Sequence, residues 1–299
     1  VGDSALRCNT TGACNVAVGQ SALFANTTAN HNTAIGHEAL NKNTTGCFNQ
    51  AVGSFALGCN TEGCQNTAMG MSALITNTTG DTNVAVGVAA LGANTTASSN
   101  TAVGTSALGA TTTGGNNTAF GCGALQSNTE GLRNVGIGRL AIQGNTTACC
   151  NVALGDAALY TNQTGFKNIA IGTNALYTNT GSCNTAVGHT ALEANTTGTQ
   201  NVAVGATSLD ANTTGCMNTA IGRSALGANI TGLCNTAVGR TAMELNTTGC
   251  YNVAVGKDSL ANNTTANYNV AVGRNALFKN TTGELNTSIG DSAGKCNTT

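Results

Sequence analysis

Thirteen cysteines are the most reactive side chains in this sequence of 299 residues. No two of them form a C-x-x-C pair, the spacing typical of zinc and redox sites. The three histidines, His31, His37 and His189, are scattered along the chain. We therefore predict disulfides. Free thiols that pack as small apolar residues, and metal ligation, are the alternatives left open.

Two kinds of cysteine pair are candidates for these disulfides. Cys8 and Cys14 flank one Asn-Thr-Thr turn, as do Cys59 and Cys64, and each pair could staple its turn. Cys47 lies 17 residues before Cys64, and stacking would bring their Cα atoms to about 5 Å, within disulfide range. Cys64 can take only one of these partners. Disulfides would place the protein outside the cytosol.

The asparagines that begin the Asn-Thr-Thr turns match the N-x-T acceptor pattern for N-glycosylation. The alternative is that Asn-Thr-Thr-Gly is simply a good turn sequence and the acceptor pattern is its by-product. The candidate glycosylation sites are Asn9, Asn26, Asn43, Asn77 and Asn94.

Motifs for catalysis are weak. Gly136, Gly138 and Ala141 match a dinucleotide-binding G-x-G-x-x-A string, but no crossover helix follows. Six Asp and six Glu are dispersed without a recurrent pair, and no Ser lies in G-x-S-x-G. We predict that the protein is not an enzyme and has no cofactor.

Charge and hydropathy exclude two further classes. Eleven basic and twelve acidic residues give a net charge of −1 with no block of like charge, so nucleic acid is not an expected partner. No apolar run approaches the ~20 residues that span a bilayer, so no membrane span is expected.

The elements that carry these residues repeat. A glycine after a β-branched or other apolar residue recurs from Gly2 and Gly19 to Gly290 in steps of 17, except for 16 between Gly172 and Gly188. The consensus is N-[T/V]-A-[V/I]-G-x-x-A-L-x-x-N-T-T-G-x-x. Such short-period repetition is typical of solenoids. We predict an all-β fold, a β-solenoid (β-roll or β-helix) of about eighteen 17-residue coils. We expect residues 1–299 to form a single uncapped solenoid that is part of a longer fibre.

Within each repeat, N-[T/V]-A-[V/I]-G predicts a short strand, A-L predicts a weaker second strand, and N-T-T-G predicts a turn. The glycine suggests a positive φ or close backbone approach. We expect the Val/Ile and Leu columns to point inward, namely Val18, Ile35, Val52 and Val86 with Leu23, Leu40 and Leu57.

The position four before the glycine is always Asn, and identical stacked amides can hydrogen-bond along the solenoid axis. The predicted structural ladder comprises Asn15, Asn32, Asn49, Asn66 and Asn83. The Ala column, which includes Ala17 and Ala34, would lie on the opposite strand face from Val/Ile. Its constancy predicts that both faces are packed and that chains associate side by side. A recently copied repeat is the alternative explanation.

The string N-T-A-I-G-H-E-A at residues 32–39 resembles the head repeats of trimeric autotransporter adhesins and related repeats in phage and viral tail fibres. In the adhesin family the heads form left-handed parallel β-rolls, three chains associate, and the surface binds matrix proteins or host cells. The resemblance implies a solenoid and an extracellular fibre, and it transfers no binding residue.

The sequence therefore predicts a structural extracellular filament or fibre shaft on a cell or virion surface. It would self-assemble by lateral and end-to-end packing of β-solenoids, and an adhesive role is compatible with this. The expected partners are other copies of the chain, with a host surface or glycan as a further partner. The alternative is a monomeric binding solenoid that contacts ice or glycan through its Thr-Thr face.

Overall fold

The computed structural model of the chain describes residues 1–299 and contains short β-strands joined by turns, with no helix. The residues divide into two compact units, which we call unit 1 (Val1–Cys150) and unit 2 (Asn151–Thr299). Strands in each unit are parallel and follow one another at intervals of one repeat. Each unit is therefore a β-solenoid, which confirms the predicted fold class. The single solenoid over residues 1–299 stays a prediction.

Every strand is three residues long. Unit 1 has eight strands: β1 (Val16–Val18), β2 (Thr33–Ile35), β3 (Gln50–Val52), β4 (Thr67–Met69), β5 (Val84–Val86), β6 (Thr101–Val103), β7 (Thr118–Phe120) and β8 (Val135–Ile137). Unit 2 has nine: β9 (Val152–Leu154), β10 (Ile169–Ile171), β11 (Thr185–Val187), β12 (Val202–Val204), β13 (Thr219–Ile221), β14 (Thr236–Val238), β15 (Val253–Val255), β16 (Val270–Val272) and β17 (Thr287–Ile289).

Equivalent residues of successive coils lie in register. Ala17 pairs with Ala34 in unit 1, and Ala186 pairs with Ala203 in unit 2. The 16-residue coil keeps this register, because Ala170 still pairs with Ala186. Its turn is one residue shorter, so Asn179 Nδ2 donates to a carbonyl two residues ahead instead of three. The missing residue is thus absorbed within one turn.

The Ala-Leu segment is not the weaker second strand that the sequence predicts. Ser21 and Leu23 have left-handed φ angles of 54° and 51°, and this alternation recurs in the other coils. Leu23 N–H still donates to the carbonyl of Ala39 in the next coil at 3.0 Å. The left-handed residues let two consecutive side chains, Ala22 and Leu23, both point inward. A strand would send them to opposite faces.

The interior is lined by columns of Ala, Leu and Asn. Leu23, Leu40 and Leu57 are completely buried, as predicted. The inward orientation predicted for the Val/Ile column is wrong, because Val18 is 42% and Ile35 is 40% exposed. Their strand neighbours are the buried residues, with Ala34 at 0% exposure.

The asparagine at the head of each strand explains this orientation. Asn32 is buried, and Ala34 lies two residues later, so the two side chains share the inner face of the strand. Thr33 and Ile35 must then point outward. The outward residues include the rest of the Val/Ile column, with Val52 and Val86 partly exposed.

The repeated glycine meets both conditions expected of it. Gly104 has a φ of +133°, which side-chain-bearing residues rarely adopt. A Cβ added there would lie 2.5 Å from the carbonyl oxygen of Gly121 in the next coil. The glycine column therefore allows backbones to approach closely where the chain leaves each strand.

Gly104→Ala is expected to lower the free energy of unfolding by about 3 kcal/mol or more, the large end of single-substitution effects. Gly92→Ala is the matched control. Its added Cβ would lie 3.2 Å from the Ala89 carbonyl, and alanine occupies the equivalent position at Ala261. Its effect should stay within about 1 kcal/mol. Denaturant unfolding of both variants tests this, and equal stabilities would contradict it.

Candidate functional site

The predicted asparagine ladder lies inside the solenoid at the head of each strand. The backbone N–H of Asn32 donates to Oδ1 of Asn15 at 2.9 Å, and that of Asn49 donates to Oδ1 of Asn32 at 2.9 Å. Nδ2 of Asn49 donates across the coil to the carbonyl of Gly63 at 2.7 Å. The column is thus linked along the axis mainly through backbone N–H donors. The same contacts continue at Asn66 and Asn83.

A second buried asparagine column begins the Asn-Thr-Thr turns and links amide to amide. Nδ2 of Asn43 donates to Oδ1 of Asn26 at 3.1 Å, and Nδ2 of Asn60 donates to Oδ1 of Asn43 at 2.8 Å. Nδ2 of Asn43 also donates to the carbonyl of Gly46 at 2.9 Å. This second ladder is not among the predictions made from the sequence. The available signal was a turn position that is Asn in 17 of 18 repeats.

These amides are the predicted glycosylation sites, and their surroundings contradict that role. Both hydrogens on a typical Nδ2 are donated within the chain, and a glycan would replace one of them. A fully buried amide also leaves no space for a sugar. The buried sites are Asn26, Asn43, Asn77 and Asn94, each at 0% exposure. Asn9 is partly exposed and donates to the Gly12 carbonyl at 2.9 Å, so its glycosylation stays a prediction.

Thr111 leaves a gap in the second ladder within unit 1. Thr111 occupies the asparagine position in its coil and is completely buried. Its hydroxyl has no hydrogen-bond partner, and neither does Oδ1 of Asn94 in the preceding coil. Nδ2 of the next ladder member, Asn128, donates only to the Gly131 carbonyl at 3.2 Å. The shorter side chain therefore leaves buried polar groups unpaired, which destabilises the fold.

The five candidate disulfide cysteines are free thiols: Cys8, Cys14, Cys47, Cys59 and Cys64. Their pairing in disulfides stays a prediction. The structure does bring Cys47 and Cys64 together, since the N–H of Cys47 donates to Sγ of Cys64 at 3.1 Å. Each of these thiols turns toward its own coil, however, and contacts the carbonyl two residues earlier at 3.4 Å.

The two threonines of each turn differ in their surroundings. The first donates its hydroxyl to the next coil, as Thr27 does to the Thr44 carbonyl at 3.2 Å and Thr78 to the Thr95 carbonyl at 3.0 Å. The second threonine, such as Thr28, is exposed. Only the column of second threonines therefore presents hydroxyls that donate no hydrogen bond within the chain.

In each unit the outward positions of the strands form a surface that we call the sheet face: the first and third residues of β1–β8 in unit 1 and of β9–β17 in unit 2. In unit 1 it includes Val16 at 50% exposure and Phe120 at 55%. In unit 2 it includes Leu154 at 45% and Ile221 at 41%. Single exposed apolar residues are ordinary, whereas a continuous exposed row indicates an interaction surface.

Charged side chains are sparse, and a few of them interact with one another. Arg274 donates from Nε to Oδ1 of Asp291 at 2.8 Å and from Nη2 to Oδ2 at 3.2 Å. These hydrogen bonds lower the pKa of Asp291. Burial raises the pKa of Asp210, which lines a groove of about 450 Å³ with Arg223 and Glu244. No three His, Cys, Asp or Glu side chains are close enough to hold a metal ion. The structure has no helix that could cross a bilayer.

Thr111→Asn is expected to close the gap in the second ladder. The new Nδ2 would reach Oδ1 of Asn94, and the new Oδ1 would accept from Asn128. Satisfying these groups should raise the free energy of unfolding by roughly 1–3 kcal/mol, measured by denaturant unfolding. Thr113→Asn, at an exposed position of the same turn, is the control and should change little. A destabilised Thr111→Asn variant would contradict the ladder.

Cys47 and Cys64 are expected to form a disulfide when diamide accepts the two electrons and two protons that the thiols lose. They occupy equivalent positions on adjacent coils, about one strand spacing of ~4.8 Å apart, which a disulfide can span. Cys216 and Cys250 are equivalent but two coils apart, at ~9.6 Å, and should not bridge. Non-reducing peptide mapping by mass spectrometry measures both, and no Cys47–Cys64 link would refute the expectation.

Comparison of the sequence with known proteins adds no assignment to this geometry. No protein-family model matches the chain, and no curated protein matches it. The functional conclusion therefore rests on the residues and their arrangement.

Proposed function

We propose that this chain is a structural protein, the subunit of an extracellular filament or fibre shaft, whose solenoids pack side by side. The observation that carries the proposal is the sheet face of each unit, which has no charged residue and an apolar residue at the third position of every strand. A row of exposed apolar side chains that repeats on every coil is costly to leave in water and is best explained by burial against another surface.

The interior supports a structural role. Its asparagine amides donate to neighbouring coils, and its alanines and leucines fill the remaining space. These groups hold one coil on the next and are not available to a substrate. The polar side chains of the interior are therefore devoted to stability.

The extracellular location is supported by the repeat itself. The sequence N-T-A-I-G-H-E-A resembles adhesin heads and tail-fibre repeats, which act on cell and virion surfaces. The cysteines are free thiols and most of the candidate glycosylation sites are buried, so neither feature supports an extracellular location. The location and any adhesive role thus rest on the resemblance alone.

A monomeric binding solenoid is the second candidate. The exposed second threonines favour it, because Thr79, Thr96 and Thr113 repeat on successive coils with a regular spacing. Their hydroxyls could contact ice or a glycan. Thermal hysteresis of the purified chain would support an ice-binding function, and its absence would remove that function.

The proposed function predicts that the purified full chain associates as its concentration rises. Negative-stain microscopy should show bundles or fibres wider than one solenoid, and light scattering should show masses above that of the 29.5 kDa chain. The driving force is burial of the apolar sheet face, so association should weaken on cooling. A chain that stays monomeric up to its solubility limit would contradict the proposal and favour the binding solenoid.

A further inference from the structure

We propose that the sheet face binds the sheet face of a second copy of this chain, so that two parallel sheets pack face to face. This inference rests on the proposed function and adds which surface makes the lateral contact and what covers it. It also replaces the alanine column, which the sequence suggested for this role. Those alanines are buried inside each solenoid and cannot reach a partner.

Charge is the first argument for this surface. None of the outward residues of β1–β17 is charged, although the chain carries eleven basic and twelve acidic residues elsewhere. Charged residues are depleted from the cores of protein interfaces because burying an unpaired charge is unfavourable. A buried contact requires that the outward positions of every strand be uncharged, whereas a solvated surface does not require this.

Area is the second argument. A stable interface needs about 800 Å² from each partner. Unit 1 offers two outward positions on each of its eight strands, so each would have to bury only about 50 Å². Side chains of the size of Ile35 and Met69, at 40% and 47% exposure, can supply this. Unit 2 has nine strands and the same pattern, so either unit alone provides enough surface.

Periodicity identifies the partner. Outward side chains repeat in rows about 4.8 Å apart, one row for each coil, and the pairing of Val86 with Val103 and of Val103 with Phe120 keeps the rows aligned. Two faces interdigitate over many rows only when their spacings agree. A second copy has the same spacing by construction, and face-packed sheets lie ~10 Å apart, enough for one layer of side chains from each.

The test introduces lysines on alternate coils of the sheet face, so that the new charges lie about two strand spacings, ~9.6 Å, apart. Outward positions tolerate lysine in the folded chain, because its ammonium group stays in water. The sheet-face variant carries Ile35→Lys, Met69→Lys, Val103→Lys, Ile171→Lys, Val204→Lys and Val238→Lys. The matched control carries six lysines at exposed second-threonine positions, namely Thr45→Lys, Thr79→Lys, Thr113→Lys, Thr197→Lys, Thr231→Lys and Thr265→Lys.

The sheet-face variant should need at least about 100-fold more protein to associate than the unchanged chain, since lysines would be buried against lysines. The control should associate like the unchanged chain. Circular dichroism and thermal melting establish that both variants fold. If the sheet-face variant is unfolded, the single variant Met69→Lys is measured in the same assay. It should need about tenfold more protein to associate than the unchanged chain.

A complementary variant makes the test specific for contact between like faces. Glutamates at the same six sheet-face positions should also abolish association, and mixing the glutamate variant with the lysine variant should restore it. Restoration supports the proposal. Association of the lysine variant at the normal concentration overturns it while leaving the proposed function intact, because chains would then pack through another surface. Failure of the mixture to associate overturns the contact between like faces. No association of the unchanged chain would refute the proposed function itself.

Discussion

Burial of stacked asparagine side chains is the constraint on which the rest of the structure depends. Each amide at the head of a strand must reach the N–H of the next coil and a carbonyl across its own coil, as Asn49 does to the carbonyl of Gly63. It can do so only from inside the solenoid. Strand alternation then places alanine inward and the larger apolar residues outward. One hydrogen-bonding requirement thereby decides both the narrow core and the apolar exterior.

Much of the architecture follows from sequence because the repeat is nearly invariant. Like residues at one interval imply coils in register, and the paired alanines Ala17 and Ala34 show that register. The positive φ of the repeated glycine, the burial of Leu23 and the linked column from Asn15 to Asn83 could each be deduced from local chemistry. A residue that is constant in the repeat stacks on its own copies, so the chemistry of its side chain determines which contacts the column makes.

The errors arise where two residues compete for the inside. Hydrophobicity favours Ile35 over Ala34 for the core, but the buried amide of Asn32 fixes the phase of the strand in the other direction. The turn asparagines are assigned wrongly for a similar reason: a surface role and an interior role compete for the same side chain. N-x-T in isolation suggests a surface acceptor, whereas Asn43 donates both amide hydrogens to buried carbonyl oxygens. Neither outcome can be read from one repeat, since both depend on contacts between coils.

The coil between Gly172 and Gly188 shows how such a chain can change over evolutionary time. Loss of one residue there alters one turn and leaves the pairing of Ala170 with Ala186 unchanged. Within a unit, each coil presents nearly the same pair of surfaces to its neighbours. Recombination between repeats can therefore duplicate or delete a whole coil in the gene without creating a new packing problem, and chains of different length can share one cross-section.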